Sequence, residues 1–232
     1  RYPYSYGIQT LEQALANSCN TVFARLGGEL IPTPELVRYL RAFGFGDTLG
    51  IDFPGEAKGF LPTPGRVYGE TLRWANVGFG QGVAVTPLQL TMAVAALVND
   101  GYLMRPHLVK EIRDAAGRTV ERREPEVIRQ VVSARTARQM VRAMEKVVLE
   151  GTGSLAAIEG YRVLGKTGTA QIPQPGGYGE GRVASFIGAA PAEDPQVVTH
   201  VVLYDVKTEV RYGGQLAAPV FGRITERILE HR

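Results

Sequence analysis

The 232-residue chain has a single cysteine, Cys19, which excludes an internal disulfide and any thiolate metal cluster. Long apolar runs are missing too. The longest, Met92 to Val98, is far short of the roughly 18 residues a membrane span requires. Charge of one sign is scarce: 26 basic against 23 acidic residues leave a net charge of +3, and no basic run extends beyond Arg122-Arg123. A chain without a basic patch lacks the electrostatic footprint of a nucleic-acid binder, so that class is set aside. His107, His200 and His231 lie far apart in sequence without ligand-type neighbours, which argues against a metal site. The chain starts at Arg1-Tyr-Pro-Tyr4, unlike a native initiation or targeting segment, so the expectation is that it begins inside a larger protein.

What is present is a globular composition, 44% hydrophobic and 21% charged, enough to bury a full core. Thr10 with Gln13 three residues on forms a capping box, and Leu11, Ala14, Leu15, Cys19, Val22 and Leu26 follow at helical spacing until Gly27-Gly28 stop the run. Asn17-Ser18-Cys19-Asn20 predicts a break within it. Thr33-Pro34 opens a second helix, with proline at its first position, ending at Gly44. From Gly46 to Trp74 no period is sustained, and the stretch reads as an ordered surface excursion anchored by Phe45, Ile51, Phe53, Phe60 and Leu61. Tyr68, Trp74 and Phe79 are candidate cleft or packing aromatics. Thr86 and Gln89 box another helix that ends at Asn99-Asp100-Gly101. A short hairpin is expected over residues 108–122, and Ser133 caps a long helix closed by Gly151.

The last third predicts strands over 161–172, 183–190 and 197–205, with a flexible connection at 173–181 and a tight hairpin at 191–195. The near-continuous valines from Val197 to Leu203 imply a strand covered on both faces. A final helix, 218–230, presents Phe221, Ile224 and Ile228 on one side. Helices, then an antiparallel sheet, then a helix give an α+β fold.

Lys166-Thr167-Gly168-Thr169 sits on the first of these strands. Gly160 to Thr167 also fits the letters of a phosphate-binding loop, but strand formers occupy its interior, and Gly168, Pro173 and Pro175 forbid the helix that must follow the lysine. On a strand, Lys166, Gly168 and Ala170 share one face and Thr167 and Thr169 the other. Gly168 would let another backbone lie close. The two hydroxyls could donate to a carboxylate beside the lysine's positive charge. A core strand whose lysine snorkels to the edge remains the alternative.

Ser18-Cys19-Asn20 and Lys166-Thr167-Gly168-Thr169 resemble the S-x-N and K-T-G-T motifs of penicillin-binding proteins and serine β-lactamases. Further words resemble the family in order: residues 10–17, Gly80-Gln-Gly82 leading into Val85–Leu90, Gly151-Thr-Gly153, Ala184–Pro191, Tyr212-Gly-Gly214 and Ala217–Phe221. The set is most similar to class B D,D-transpeptidases of the septal, cell-division branch. The resemblance implies a penicillin-binding, β-lactamase-like fold, with residues 1–232 as the C-terminal portion of one transpeptidase domain. It also implies peptidoglycan crosslinking by acyl transfer from D-Ala-D-Ala stem peptides, inhibition by β-lactams and no cofactor. Implied partners are the missing N-terminal part of the same domain and the cell-wall or divisome membrane proteins of the parent. The implied location is the outer face of the cell membrane, through an N-terminal anchor. By motif, Ser18 relays protons, Asn20 holds the substrate amide, Lys166 supports the relay and the substrate carboxylate, and Thr167 and Thr169 bind that carboxylate with Gly168 as the substrate-binding position between them, the Thr169 N–H forming half of an oxyanion hole.

The family's nucleophile is the serine of S-x-x-K. The chain's five serines are Ser5, Ser18, Ser133, Ser154 and Ser185, and none has lysine three residues later. Cys19 is read as packing rather than as a substitute. The chain alone is therefore expected to be inactive, and the sheet to expose an edge for missing strands. A non-catalytic scaffold or sensor of the same fold is the alternative. A β-lactamase fits less well, because no glutamate is placed as its deacylating base.

Overall fold

The computed structural model describes residues 6–65 and 68–231, so Ser5 and the Arg1–Tyr4 start lie outside the described residues. Helix α1 (Leu11–Ala16) begins with the expected reciprocal box between Thr10 and Gln13. The break falls at Ser18, and α2 (Asn20–Arg25) follows. Gly27 and Gly28 do not stop the run. The chain continues as a π-helical turn, Leu26–Leu30, into α3 (Thr33–Ala42), which is capped by Pro32 and carries Pro34 at its second rather than first position.

Helix α4 (Glu70–Gly78) lies within and beyond the stretch read as irregular. A Cβ on Gly27 would collide with the Trp74 carbonyl and Gly78 Cα, so the glycine serves the approach of two backbones instead of ending a helix. Trp74 is buried with Val37 and Val77 in a small core of its own, Phe79 is half-buried and Tyr68 is fully exposed, so the three aromatics form no cluster.

Helix α5 (Pro87–Val98) keeps the Thr86–Gln89 box. Strand β1 (Tyr102–Met104) pairs with β4 (Val127–Gln130), enclosing the expected hairpin of β2 (Glu111–Arg113) and β3 (Thr119–Arg122). The long helix α6 (Ala134–Leu149) is capped by Ser133 as expected. After a 3-10 turn at Ser154–Ala156 come β5 (Leu164–Gln174), β6 (Gly177–Ala190) and β7 (Val197–Val206), then α7 (Gly213–Leu216) and α8 (Ala218–Glu230).

The three long strands form one antiparallel sheet in the order β5-β6-β7. The connection at 173–181 extends the two strands into a tight turn: Pro173 pairs with Tyr178 and Gln174 with Gly177. Proline and Gly176 (φ 88°) occupy the two central turn positions, where fixed and positive φ are favoured. Strands β6 and β7 are both covered on two faces, β7 by the core under α8 at Val201 and by the core under α5 at Val198. Phe186 faces Val148, Ile158 and Phe221 on one side, while Ile187 and Ala189 face Val94 and Met144 on the other. On β7 only Val201 is buried and its valine neighbours are half-buried, because among the described residues it pairs with β6 alone. Helix α8 buries Phe221, Gly222 and Thr225, and Ile224 and Ile228 remain 43% and 38% exposed. The Phe186–Phe221 ring contact at 4.7 Å and the Thr225 hydroxyl donating to Thr199 Oγ1 set that rotation.

Candidate active site

The site is assembled where the α1–α2 break meets β5. Ser18 N and Cys19 N donate to the Leu15 and Ala14 carbonyls, so the broken helix leaves few backbone groups orphaned. Ser18 itself is held at φ 53°, a left-handed conformation that costs a non-glycine residue free energy and recurs at functional sites. Its Oγ accepts a hydrogen bond from Lys166 Nζ at 2.9 Å. The same ammonium donates to Thr167 O at 3.0 Å and Thr167 Oγ1 at 3.2 Å. Burial pushes Lys166 down from its ordinary value of 10.5 to about 8, with no charged neighbour contributing.

Asn20 is exposed at the first position of α2, and its carboxamide has no hydrogen-bond partner among the described residues. Thr169 is exposed, and its Oγ1 accepts from Gly213 N at 3.1 Å, which leaves its hydroxyl hydrogen available to a bound acceptor. Gly168 pairs with Ser185, and a Cβ there would run into Ser185 Oγ. A Cβ on Gly213 would collide with the Gly168 and Ser185 carbonyls, so the backbone lying against β5 at this point is the chain's own α7.

Sequence reasoning did not single out Thr152, Ser185 or Gly213 as site residues. Thr152 Oγ1 lies 2.9 Å from Thr167 Oγ1. The available signal was the pair of doubly glycine-marked words, Gly151-Thr-Gly153 and Tyr212-Gly-Gly214. Cys19 is half-buried and caps α2 by position without a side-chain bond. Among the described residues, no group of three or more His, Cys, Asp or Glu is placed to hold a metal ion. No helix among them is long and apolar enough to cross a membrane.

A lysine whose pKa burial lowers to about 8, bound to a strained serine and flanked by two threonines and a carboxamide, can move protons and hold a carboxylate, the two needs of acyl transfer. The family model of the penicillin-binding protein transpeptidase domain matches residues 1–226. This chain belongs to the penicillin-binding protein transpeptidase family. Stage V sporulation protein D of Bacillus subtilis is 44% identical over 221 residues, covering 94% of this chain and 34% of that protein. Peptidoglycan D,D-transpeptidase FtsI of Escherichia coli is 34% identical over 231 residues, 97% of this chain and 36% of that protein. Penicillin-binding protein 3 of Mycobacterium tuberculosis, solved in complex with aztreonam, superposes with a TM-score of 0.86 at 30% identity, covering 99% of this chain and 53% of that one. The α+β penicillin-binding fold expected from the sequence is thus the observed one. The chain spans about a third of the length of the curated relatives it matches.

Proposed function

We propose that the chain is part of the transpeptidase domain of a class B penicillin-binding protein of the septal type, and that the parent crosslinks peptidoglycan by acyl transfer from D-Ala-D-Ala stem peptides. The observation that carries this reading is the 2.9 Å bond between Lys166 Nζ and Ser18 Oγ, which joins the S-x-N and K-T-G-T motifs across one cleft. In that cleft Ser18 relays protons among Lys166, the S-x-x-K lysine and the leaving amine, and Asn20 offers its unengaged carboxamide to the substrate amide. Thr167 and Thr169 hold the terminal carboxylate, with Gly168 between them keeping the strand close to Ser185. The Thr169 N–H serves half of an oxyanion hole. A β-lactam, which presents a carboxylate and a strained acyl group, fits the same contacts. The domain acts at the outer face of the cell membrane, where its substrate is, with the divisome as its setting.

The reacting serine itself comes from an S-x-x-K segment outside residues 1–232. Labelling with a fluorescent penicillin tests both halves of the proposal. The complete parent protein is labelled, and the isolated chain is not. Labelling of the isolated chain, or failure to label the parent, overturns the corresponding half.

A further inference from the structure

Past Thr169, two arginines without an acidic partner converge beside β5. Arg182 on β6 pairs across the ladder with Gln171, two positions beyond Thr169, so these three side chains share one face of the sheet. Arg211 lies two residues before Gly213, whose N–H holds Thr169 Oγ1. Arg182 Nη1 donates to the carbonyls of Gly179 at 3.0 Å, Glu180 at 2.8 Å and Gly181 at 3.1 Å. Arg211 Nη1 donates to the same Glu180 oxygen at 3.0 Å, and its Nε to Thr208 O at 2.8 Å. Both arginines are half-buried, and neither forms an ion pair among the described residues. Asp205, the neighbouring acid on β7, is taken by Lys207 at 3.1 Å.

Two guanidinium charges thus meet on one carbonyl with no carboxylate in contact, an arrangement that like-charge repulsion disfavours until an anion joins them. The donors left over have the geometry to receive one. Gripping the loop spends only Nη1 of Arg182. Its Nε–H and Nη2 have no partner among the described residues, and together they form the fork that takes a carboxylate through two parallel bonds. Arg211 adds an unspent Nη2 from the other side.

The direction of the substrate says which carboxylate this would be. In the proposed cleft the terminal carboxylate lies at Thr167 and Thr169 and the scissile carbonyl at the Thr169 N–H, so the preceding residues of the donor run along β5 toward Gln171. An extended peptide advances about 3.3 Å per residue, which sets the residue before the D-Ala pair level with Gln171 and its register partner Arg182. Gln171 is exposed, and a long side chain on the substrate has only the spacing of one strand, about 4.8 Å, to cross.

We infer that Arg182 and Arg211 form a second anion subsite beside the cleft, which takes a carboxylate at the end of the side chain that precedes the D-Ala pair in the donor peptide. This rests on the proposed acyl-transfer reading of the same cleft. It narrows the donor to peptides with an acidic side chain at that position.

The test compares two synthetic donors on the complete parent protein. Both are thioglycolate thioesters of a peptide ending in D-Ala, preceded in one by 2-aminoadipate and in the other by its side-chain amide. Thiol release is followed without an acceptor, so any preference belongs to the donor. The wild-type parent is expected to favour the carboxylate donor by about tenfold in kcat/KM, the scale of a charge-assisted bidentate pair. Arg182→Gln and Arg211→Gln should each shrink that ratio. Arg211→Gln leaves the three carbonyl bonds of Arg182 in place and carries the test if the other variant does not fold. A wild-type ratio within twofold of one overturns the inference, as do variants that slow both donors in proportion, the signature of arginines that only hold the loop. Fluorescent penicillin separates the two readings. A parent that it labels, but that shows no preference or consumes neither donor, overturns this inference alone; a parent that it fails to label overturns the acyl-transfer reading and the inference with it.

Discussion

Lys166 Nζ binds Ser18 Oγ at 2.9 Å across 148 residues of sequence, and the serine reaches it only by adopting a left-handed backbone. Strain and contact are therefore separable. Ser18→Ala removes the hydroxyl and keeps the strain, whereas Ser18→Gly removes both. The glycine variant is expected to be more stable than the alanine variant by about 1 kcal/mol in denaturant unfolding. Both should lose about two orders of magnitude in penicillin acylation of the parent, the usual scale for a proton-relay group. Equal stabilities would show that φ 53° carries no cost here.

Burial lowers Lys166 to about 8, and the unfolded chain restores its ordinary value of 10.5. Between these values the unfolded state binds the proton that the folded state has released, so stability rises with pH across that window. The cost of burying the charge is fully present below pH 8 and gone above about pH 10.5. Its size is about 3 kcal/mol, from the separation of the two values. Unfolding free energies of wild type and Lys166→Met, followed from pH 7 to pH 10.5, should converge as the penalty disappears from the wild type. Parallel curves would place the lysine near its ordinary value. Acylation should climb through pH 8 in the wild-type parent and lose that limb in Lys166→Arg, whose charge does not titrate there.

Gly213 holds Thr169 in place with its N–H and approaches the Gly168 and Ser185 carbonyls too closely for a side chain. Gly213→Ala is expected to push α7 off β5 and cost about 2–3 kcal/mol, within the usual cost of overpacking a tight site. It should also weaken inhibitors that carry a carboxylate more than it slows acylation at saturation, since the lost bond orients a carboxylate donor. An unchanged inhibitor affinity would detach Gly213 from substrate binding.

Elements that announce themselves locally were readable. Thr10 with Gln13, Thr86 with Gln89, and Ser133 fixed three helix starts because a cap lies within three residues of its partner. Helix α4 starts instead at a left-handed Gly69 with no capping side chain, and its Glu70 is used by the Trp74 indole and the Gly65 amide. Pairing of β1 with β4 joins residues more than twenty apart, and no turn signal marks it. The rotation of α8 depends on Thr199 across the fold, which apolar spacing does not encode. Within the site, Ser18, Asn20, Lys166, Thr167 and Thr169 stood out as motifs with polar chemistry. Thr152 and Gly213 did not, since their partners lie 15 and 44 residues away and one of them offers only a backbone amide.

Gln89 shows how a residue that caps one helix can organise a distant loop. Its side chain is fully buried, and Oε1 accepts from Thr86 N while Nε2 donates to the carbonyls of Asp47 at 2.7 Å, Lys58 at 2.9 Å and Gly44 at 3.2 Å. The loop it grips is closed a second time by Glu56, which accepts from the amides of Leu49, Gly50 and Ile51. Gln89→Leu keeps the volume but leaves these polar groups without their partner, at a cost of about 3 kcal/mol. Gln89→Glu is expected to be worse, because it sets carboxylate oxygens against carbonyl oxygens. Hydrogen exchange separates local from global damage. The amides of residues 49–51 should exchange faster in Gln89→Leu under conditions where those pairing β5 with β6 remain protected, since the loop is fastened to α5 and not to the sheet. Uniform acceleration throughout would show that Gln89 supports the whole domain and not the loop alone.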